Sequence, residues 1–284
     1  MSDNSSDEKL PAEEKAPVEE RAPAEEKAPA NDKSTTEFNG KKVFFLFPPN
    51  NVQNQVITEL AQQEIEVYVA KDYTRLNRAL KNYTDSIVYI NIDDGMSEPQ
   101  WEQWIATLLS AVPTVKIGIL SSSTDEELKN KYLEKLKITC GFIKMQVDMS
   151  KASVKILEIL GEMDVKGRRK YLRALVDREA NATINMPVNG DFKNGVIRDV
   201  SVVGVSCIFE SDPGLKKNNL IKDIQIRLQT MLLKVEAVVF GAREENGQII
   251  YVLIFTQRVD PDVKVKIRKY IQQNLQGKMD SEIN

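Results

Sequence analysis

Residues 168–173 read Arg-Arg-Lys-Tyr-Leu-Arg, and residues 199–204 read Asp-Val-Ser-Val-Val-Gly. Arg169 and Arg173 stand four positions apart. A guanidinium is a rigid fork of donors that grips phosphate oxygens, or the O6/N7 edge of guanine, in pairs, which a lysine ammonium does less well. Arg168 and Lys170 add charge beside them. In the second stretch Asp199 supplies acceptors, the Ser201 hydroxyl can donate or accept, and Gly204 lets backbone come close. Together these side chains describe a receptor for a small anionic ligand. No histidine occurs in the 284 residues, which removes the commonest general acid or base, the Ser-His and Cys-His pairs and histidine metal ligands. No carboxylate cluster with metal spacing replaces them. The expectation is a binder and not an enzyme, with no cofactor and no metal.

Such residues need a frame to hold them. Residues 11–30 repeat Pro-(Ala/Val)-Glu-Glu-(Lys/Arg)-Ala with a six-residue period. Proline at each repeat interrupts any helix, and almost nothing apolar is available to bury, so residues 1–38 are expected to form a disordered tail. From residue 41 apolar runs alternate with amphipathic stretches. Strands are expected at 43–47, 66–70, 86–92, 115–120 and 141–145. Between and after them, helices carry Val52, Val56 and Leu60, then Leu76, Ala79, Leu80 and Tyr83, then Trp101, Trp104, Ile105, Leu108 and Leu109, then Leu128, Tyr132 and Leu136, and finally residues 153–163. Asn50 and Asn51 read as a helix cap, and residues 124–127 as a capping box. Strict alternation of this kind predicts a doubly wound, five-stranded parallel sheet over residues 39–163.

Past a linker at 164–180, which holds the arginine stretch, the period falls to two. Strands are expected at 182–188, 196–201, 204–209, 221–228, 232–240 and 248–256, with Asn189-Gly190, Asn194-Gly195 and Glu245-Asn246-Gly247 as turns. About six antiparallel strands without intervening helices suggest a small closed barrel, which removes exposed edges. A helix after Pro261 carries Val263, Ile267, Tyr270 and Ile271 on one face, so the second domain is expected at 181–277, followed by a short tail at 278–284. Charge is uneven: residues 1–38 hold 11 acidic and 5 basic side chains, whereas residues 165–270 hold 12 acidic and 19 basic ones, net +7. The basic half is the one that carries both motifs, which suits an anionic partner. Cys140 and Cys207 lie in or beside apolar runs and read as buried thiols in a reducing compartment. No apolar run reaches the ~18 residues of a membrane span, and the acidic start is unlike a signal peptide, so the expectation is a cytoplasmic protein.

Arg169-x-x-x-Arg173 followed by Asp199-x-Ser201-x-x-Gly204, in that order and with β-runs after it, resembles the two-part signature of PilZ domains, receptors for the bacterial second messenger cyclic di-GMP. The resemblance implies that Arg169 and Arg173 contact phosphates and guanine edges, with Arg168 beside them. It implies that Asp199 and Ser201 bond guanine and that Gly204 permits the turn. It also implies control of motility, surface behaviour or virulence through a protein partner. Residues 39–163 resemble the receiver domain of bacterial response regulators, with Asp93 or Asp94, Ser121 or Ser122, and Lys144 near its chemical positions. Where a receiver holds Mg²⁺ with an acidic pair, this chain has Pro48-Pro49-Asn50, so the resemblance implies a receiver-like domain impaired in phosphorylation. The resulting expectation is a cyclic di-GMP receptor whose arginine linker orders on binding and changes the angle between the two domains. Two rivals stand beside it. One is an interaction scaffold that needs no ligand; the other is a nucleic-acid-binding regulator, which the scarcity of aromatics beside the arginines disfavours. The oligomeric state is left open.

Overall fold

A computed structural model describes residues 40–176 and 181–283. The repeat tail and residues 177–180 of the expected linker lie outside the described residues. The first half runs β1 (Val43–Leu46), a π-helical stretch Val52–Ile57 continuing as α1 (Thr58–Gln62), β2 (Val67–Ala70), α2 (Tyr73–Asn82), β3 (Ile87–Asn91), α3 (Glu98–Ala111), β4 (Lys116–Ser121), α4 (Glu126–Asn130) with a π-helical continuation Lys131–Lys135, β5 (Phe142–Lys144) and α5 (Ser150–Glu162). The five strands pair in parallel in the order β2-β1-β3-β4-β5, the doubly wound order that reverses between β1 and β3. Every residue of β1 and β3 is buried, as central strands covered on both faces require. Trp101, Ile105, Leu76 and Leu80 pack on one face, and Val56, Leu60, Ile156 and Leu160 on the other. The cap of α4 is Asp125 rather than Thr124, because the Asp125 carboxylate accepts from the amides of Glu127 at 2.8 Å and Leu128 at 3.3 Å. A carboxylate there also suits the positive end of the helix.

The second half runs β6 (Arg173–Leu175), β7 (Ala182–Val188), β8 (Asp191–Ser201), β9 (Gly204–Phe209), β10 (Leu220–Leu228), β11 (Met231–Glu245), β12 (Gln248–Phe255) and α6 (Pro261–Glu282). Strands β7, β10, β11, β12, β9 and β8 form a closed antiparallel ring, and β6 joins it as a short seventh strand on β8. Asn189-Gly190 and Asn246-Gly247 close two hairpins with positive φ at both residues, the backbone that matches strand twist. Asn194-Gly195, expected as a turn, instead lies within β8. The Asn194 side chain accepts a 2.6 Å bond from Asn185 across the ladder, so the asparagine serves a strand pair and not a reversal.

Helix α6 continues well past the point where the barrel needs it. Residues 278–284, expected as a tail, are helical to Glu282, and Met279 and Ile283 are buried. Ile267, Ile271, Leu275, Met279 and Ile283 recur at every fourth position. At 3.6 residues per turn each step of four drifts by about 40°, so the row rotates by about 160° along the helix. Ile267, Tyr270 and Ile271 therefore enter the barrel core, Met279 and Ile283 enter the core against Phe44 and Tyr68, and Leu275 touches both. Gln276 donates to the Val69 carbonyl at 3.2 Å and accepts from the Val69 amide at 2.8 Å. It thereby stands in for a neighbouring strand at the edge of the parallel sheet.

Both tryptophans lie in the first half and Ile271 in the barrel core. If α6 makes the halves one cooperative unit, Ile271→Ala should cost about 2–5 kcal/mol. That loss should appear in urea unfolding followed by tryptophan fluorescence. A tryptophan transition that ignores the substitution would mean that the halves unfold separately.

Candidate functional site

The site begins with a defect in a strand. Along β8 Ile197 points into the barrel, and strict alternation would then turn the odd-numbered residues Asp199 and Ser201 inward as well. A bulge between Ile197 and Asp199 makes Arg198 an extra residue and reverses the phase. Val200 joins the core, while Asp199 and Ser201 turn to the outer face. Arg198 spans outward to Glu245 at 3.3 Å.

Strand β6 brings the second arginine to the same place. Arg173 pairs with Ser201 and Leu175 with Asp199, and Ala174 between them is buried. On the other side of β8, Ser201 pairs with Gly204 and Asp199 with Ser206, and β12 continues the rows with Ile254 and Val252. Two rows thus cross the outer face, Arg173–Ser201–Gly204–Ile254 and Leu175–Asp199–Ser206–Val252, each about 14 Å wide at ordinary strand spacing. The face has a polar centre, with Leu175 61% and Ile254 37% exposed at its sides. Arg168, Arg169 and Lys170 are exposed and precede β6 without regular structure. The chain therefore brings Arg173, Asp199, Ser201 and Gly204 together and leads Arg168 and Arg169 up to them.

Asp199, Ser201 and Gly204 each also make contacts within the protein. The Ser201 side chain is buried and donates to the Gly204 carbonyl at 3.2 Å, clamping the two-residue turn, whose Val203 carbonyl takes the Phe255 amide at 2.8 Å. Donating to a ligand would require that hydroxyl to leave its bond, whereas its oxygen can still accept. Gly204 serves packing between strands: a Cβ there would lie 2.3 Å from the Leu253 carbonyl oxygen. Ser206, which the motif does not include, donates its hydroxyl to the Asp199 carboxylate and fixes its orientation. Once a two-residue turn is placed at Val202-Val203, Ser206 is the residue that must face Asp199. Burial pushes the nearby Cys207 thiol up to about 12, with the Asp199 charge adding to the shift, so it stays a neutral core group.

The receiver-like positions also gather, at the carboxyl ends of β3, β4 and β5, where β3 ends at Asn91, one residue short of the expected end. The Asn91 amide donates to the Phe47 carbonyl at 2.9 Å and accepts from the Asp93 amide at 3.1 Å. Asp93 lies two residues beyond the strand and accepts from Ser121 Oγ at 2.6 Å, Ser122 N at 2.6 Å and Ser122 Oγ at 2.7 Å. Lys144 pairs with Ser121 in the ladder. These bonds make Asp93 the anchor of a serine corner.

No protein-family model and no curated protein matches this chain. Solved structures similar to it include the PilZ domain with c-di-GMP of YcgR from Escherichia coli, with 16% identity, 40% of this chain and 96% of that one covered and a TM-score of 0.36. They also include the K. pneumonia MrkH–c-di-GMP complex, with 19% identity, coverage of 42% and 57% and a TM-score of 0.37. For the first half there is the signal receiver domain of an HD domain-containing protein from Pseudomonas fluorescens Pf-5, with 12% identity, coverage of 44% and 98% and a TM-score of 0.37. The chain spans little more than half the length of MrkH. The architecture of this chain is a five-stranded parallel α/β half followed by a closed six-stranded antiparallel barrel and a C-terminal helix.

The packing role of Gly204 can be separated from ligand binding. Gly204→Ala is expected to cost about 1–3 kcal/mol in urea denaturation, because a backbone carbonyl must give way. Ser201→Ala should cost about 1 kcal/mol, the loss of one hydroxyl bond. Equal stability of the glycine variant and the wild type would show that β9 and β12 can separate without penalty.

Proposed function

We propose that the protein is a receptor for cyclic di-GMP, which binds the outer barrel face under the arginine segment. The observation that supports this most is the direct pairing of Arg173 with Ser201 beside Asp199 and Ser206. It joins a guanidinium fork to a fixed carboxylate on one face. A ligand with two phosphates and two guanines matches both kinds of group: arginine forks take phosphate oxygens or guanine O6/N7, and a carboxylate accepts from guanine N–H groups. The flanking Leu175 and Ile254 offer apolar area to the flat bases. Arg169 and Arg168 close from the segment that leads into β6.

Each well-placed bidentate contact is worth ~1–3 kcal/mol, so losing one weakens binding by up to about a hundredfold. Calorimetry with cyclic di-GMP is expected to show no measurable binding for Arg173→Ala or Asp199→Ala, with circular dichroism unchanged. Wild-type affinity in both variants would remove the site assignment.

Binding also signals to the receiver-like half and from there to a protein partner. Because α6 is buried in both cores, we expect closure of residues 168–171 over the barrel face in place of a wide swing of the halves. Small-angle scattering with and without ligand should then differ little. A large change in radius of gyration would show instead that α6 yields and the halves reorient.

A further inference from the structure

Glu64 is a non-glycine residue in the left-handed region, at φ +59°, immediately after the cap of α1 and before β2. Glycine is the residue that takes this conformation without strain. The strain coincides with a side chain placed where three parts of the molecule meet. The Glu64 side chain is 10% exposed, in a crevice walled by Ala61, Ile65, Leu172, Ile271 and Leu275. One carboxylate oxygen accepts from the Leu172 amide at 3.0 Å, and the other accepts from Arg268 Nε of α6 at 3.1 Å. Leu172 is the residue just ahead of Arg173. A single carboxylate of the receiver-like half therefore holds the backbone of the arginine segment and the helix shared by both cores. Apolar walls strengthen such bonds and make their loss expensive.

We propose that Glu64 is a positioning residue for the ligand site, and that the corner between α1 and β2 is where the receiver-like half controls the barrel's affinity. The proposal rests on the cyclic di-GMP reading. With Glu64 in place, the backbone before Arg173 is already ordered, and the ligand need only close residues 168–171. With Glu64 withdrawn, the ligand must also order Leu172 and its neighbours, and affinity falls by the conformational entropy of fixing that backbone. A partner or modification that shifts the α1–β2 corner would thus weaken binding without touching the barrel face.

The test uses Glu64→Gly, which removes the carboxylate and at the same time relieves the backbone. The variant is expected to keep the wild-type circular dichroism, because relief of the left-handed backbone offsets part of the lost bonding, and a folded variant separates positioning from a structural loss. Its Leu172 amide should exchange with solvent at least tenfold faster in the ligand-free protein. Its affinity for cyclic di-GMP by calorimetry should fall on the order of tenfold. Glu64→Gln keeps one acceptor for the Leu172 amide and should fall between the two. Unchanged amide exchange together with wild-type affinity in Glu64→Gly would overturn the proposal. If the wild-type protein itself binds no cyclic di-GMP, the receptor reading fails. Amide exchange at Leu172 then decides by itself whether Glu64 fixes the arginine segment.

Discussion

One row of apolar side chains on α6 must be buried twice. Ile267 and Ile271 belong to the barrel core, and Met279 and Ile283 to the core on the face of the parallel sheet that holds Phe44 and Tyr68. Because the row advances by four residues on a helix of 3.6 per turn, it winds around the axis, and one straight helix can serve two cores in succession. The consequence is a covalent and apolar strut between the halves. Each core is completed by the same element, so the orientation of the halves is held by packing and not only by the connecting segment. Gln276 on Val69 and Arg268 on Glu64 add polar bonds at the joint, where the edge of β2 would otherwise lie open.

The candidate site depends on that joint from one side and on a bulge from the other. The extra residue Arg198 re-phases β8, and without it the carboxylate of Asp199 and the hydroxyl of Ser201 would point into an apolar core, at a cost of several kcal/mol. With it, the two turn outward beside Ser206 and meet Arg173 on β6. Barrel closure makes this face rigid, since every strand of the ring has two neighbours. The arginine segment precedes β6 without regular structure. It is fixed at its end by the β6 ladder and by Glu64 at Leu172.

Much of this was legible in residue order. The continuous apolar run at Val43 to Leu46 and the clean alternation at Ile224, Ile226 and Leu228 marked buried and half-buried strands. The alternation of the two patterns separated a parallel sheet from an antiparallel barrel. Asn189-Gly190 and Asn246-Gly247 formed turns because positive φ is needed there. Asn194-Gly195 looked the same locally, yet it lies inside β8, because pairing with β7 and β9 outweighs local turn preference. Likewise the third strand, expected to reach residue 92, stops at Asn91 in the ladder with β4.

By itself, the sequence determined the two element patterns, the basic character of the second half and the paired motif of Arg169, Arg173, Asp199, Ser201 and Gly204. Each of these is written in local spacing, charge or side-chain chemistry. Only the tertiary structure decided that Asp199 and Ser201 face outward, that Ser206 holds the carboxylate, that Gly204 is required by the Leu253 carbonyl, and that Glu64 reaches Leu172 and Arg268. The reason is that bulge phase, strand register and helix docking are set by contacts between residues far apart in the chain. Glu64 lies 108 positions from Leu172 and 204 from Arg268, and no local pattern records those distances.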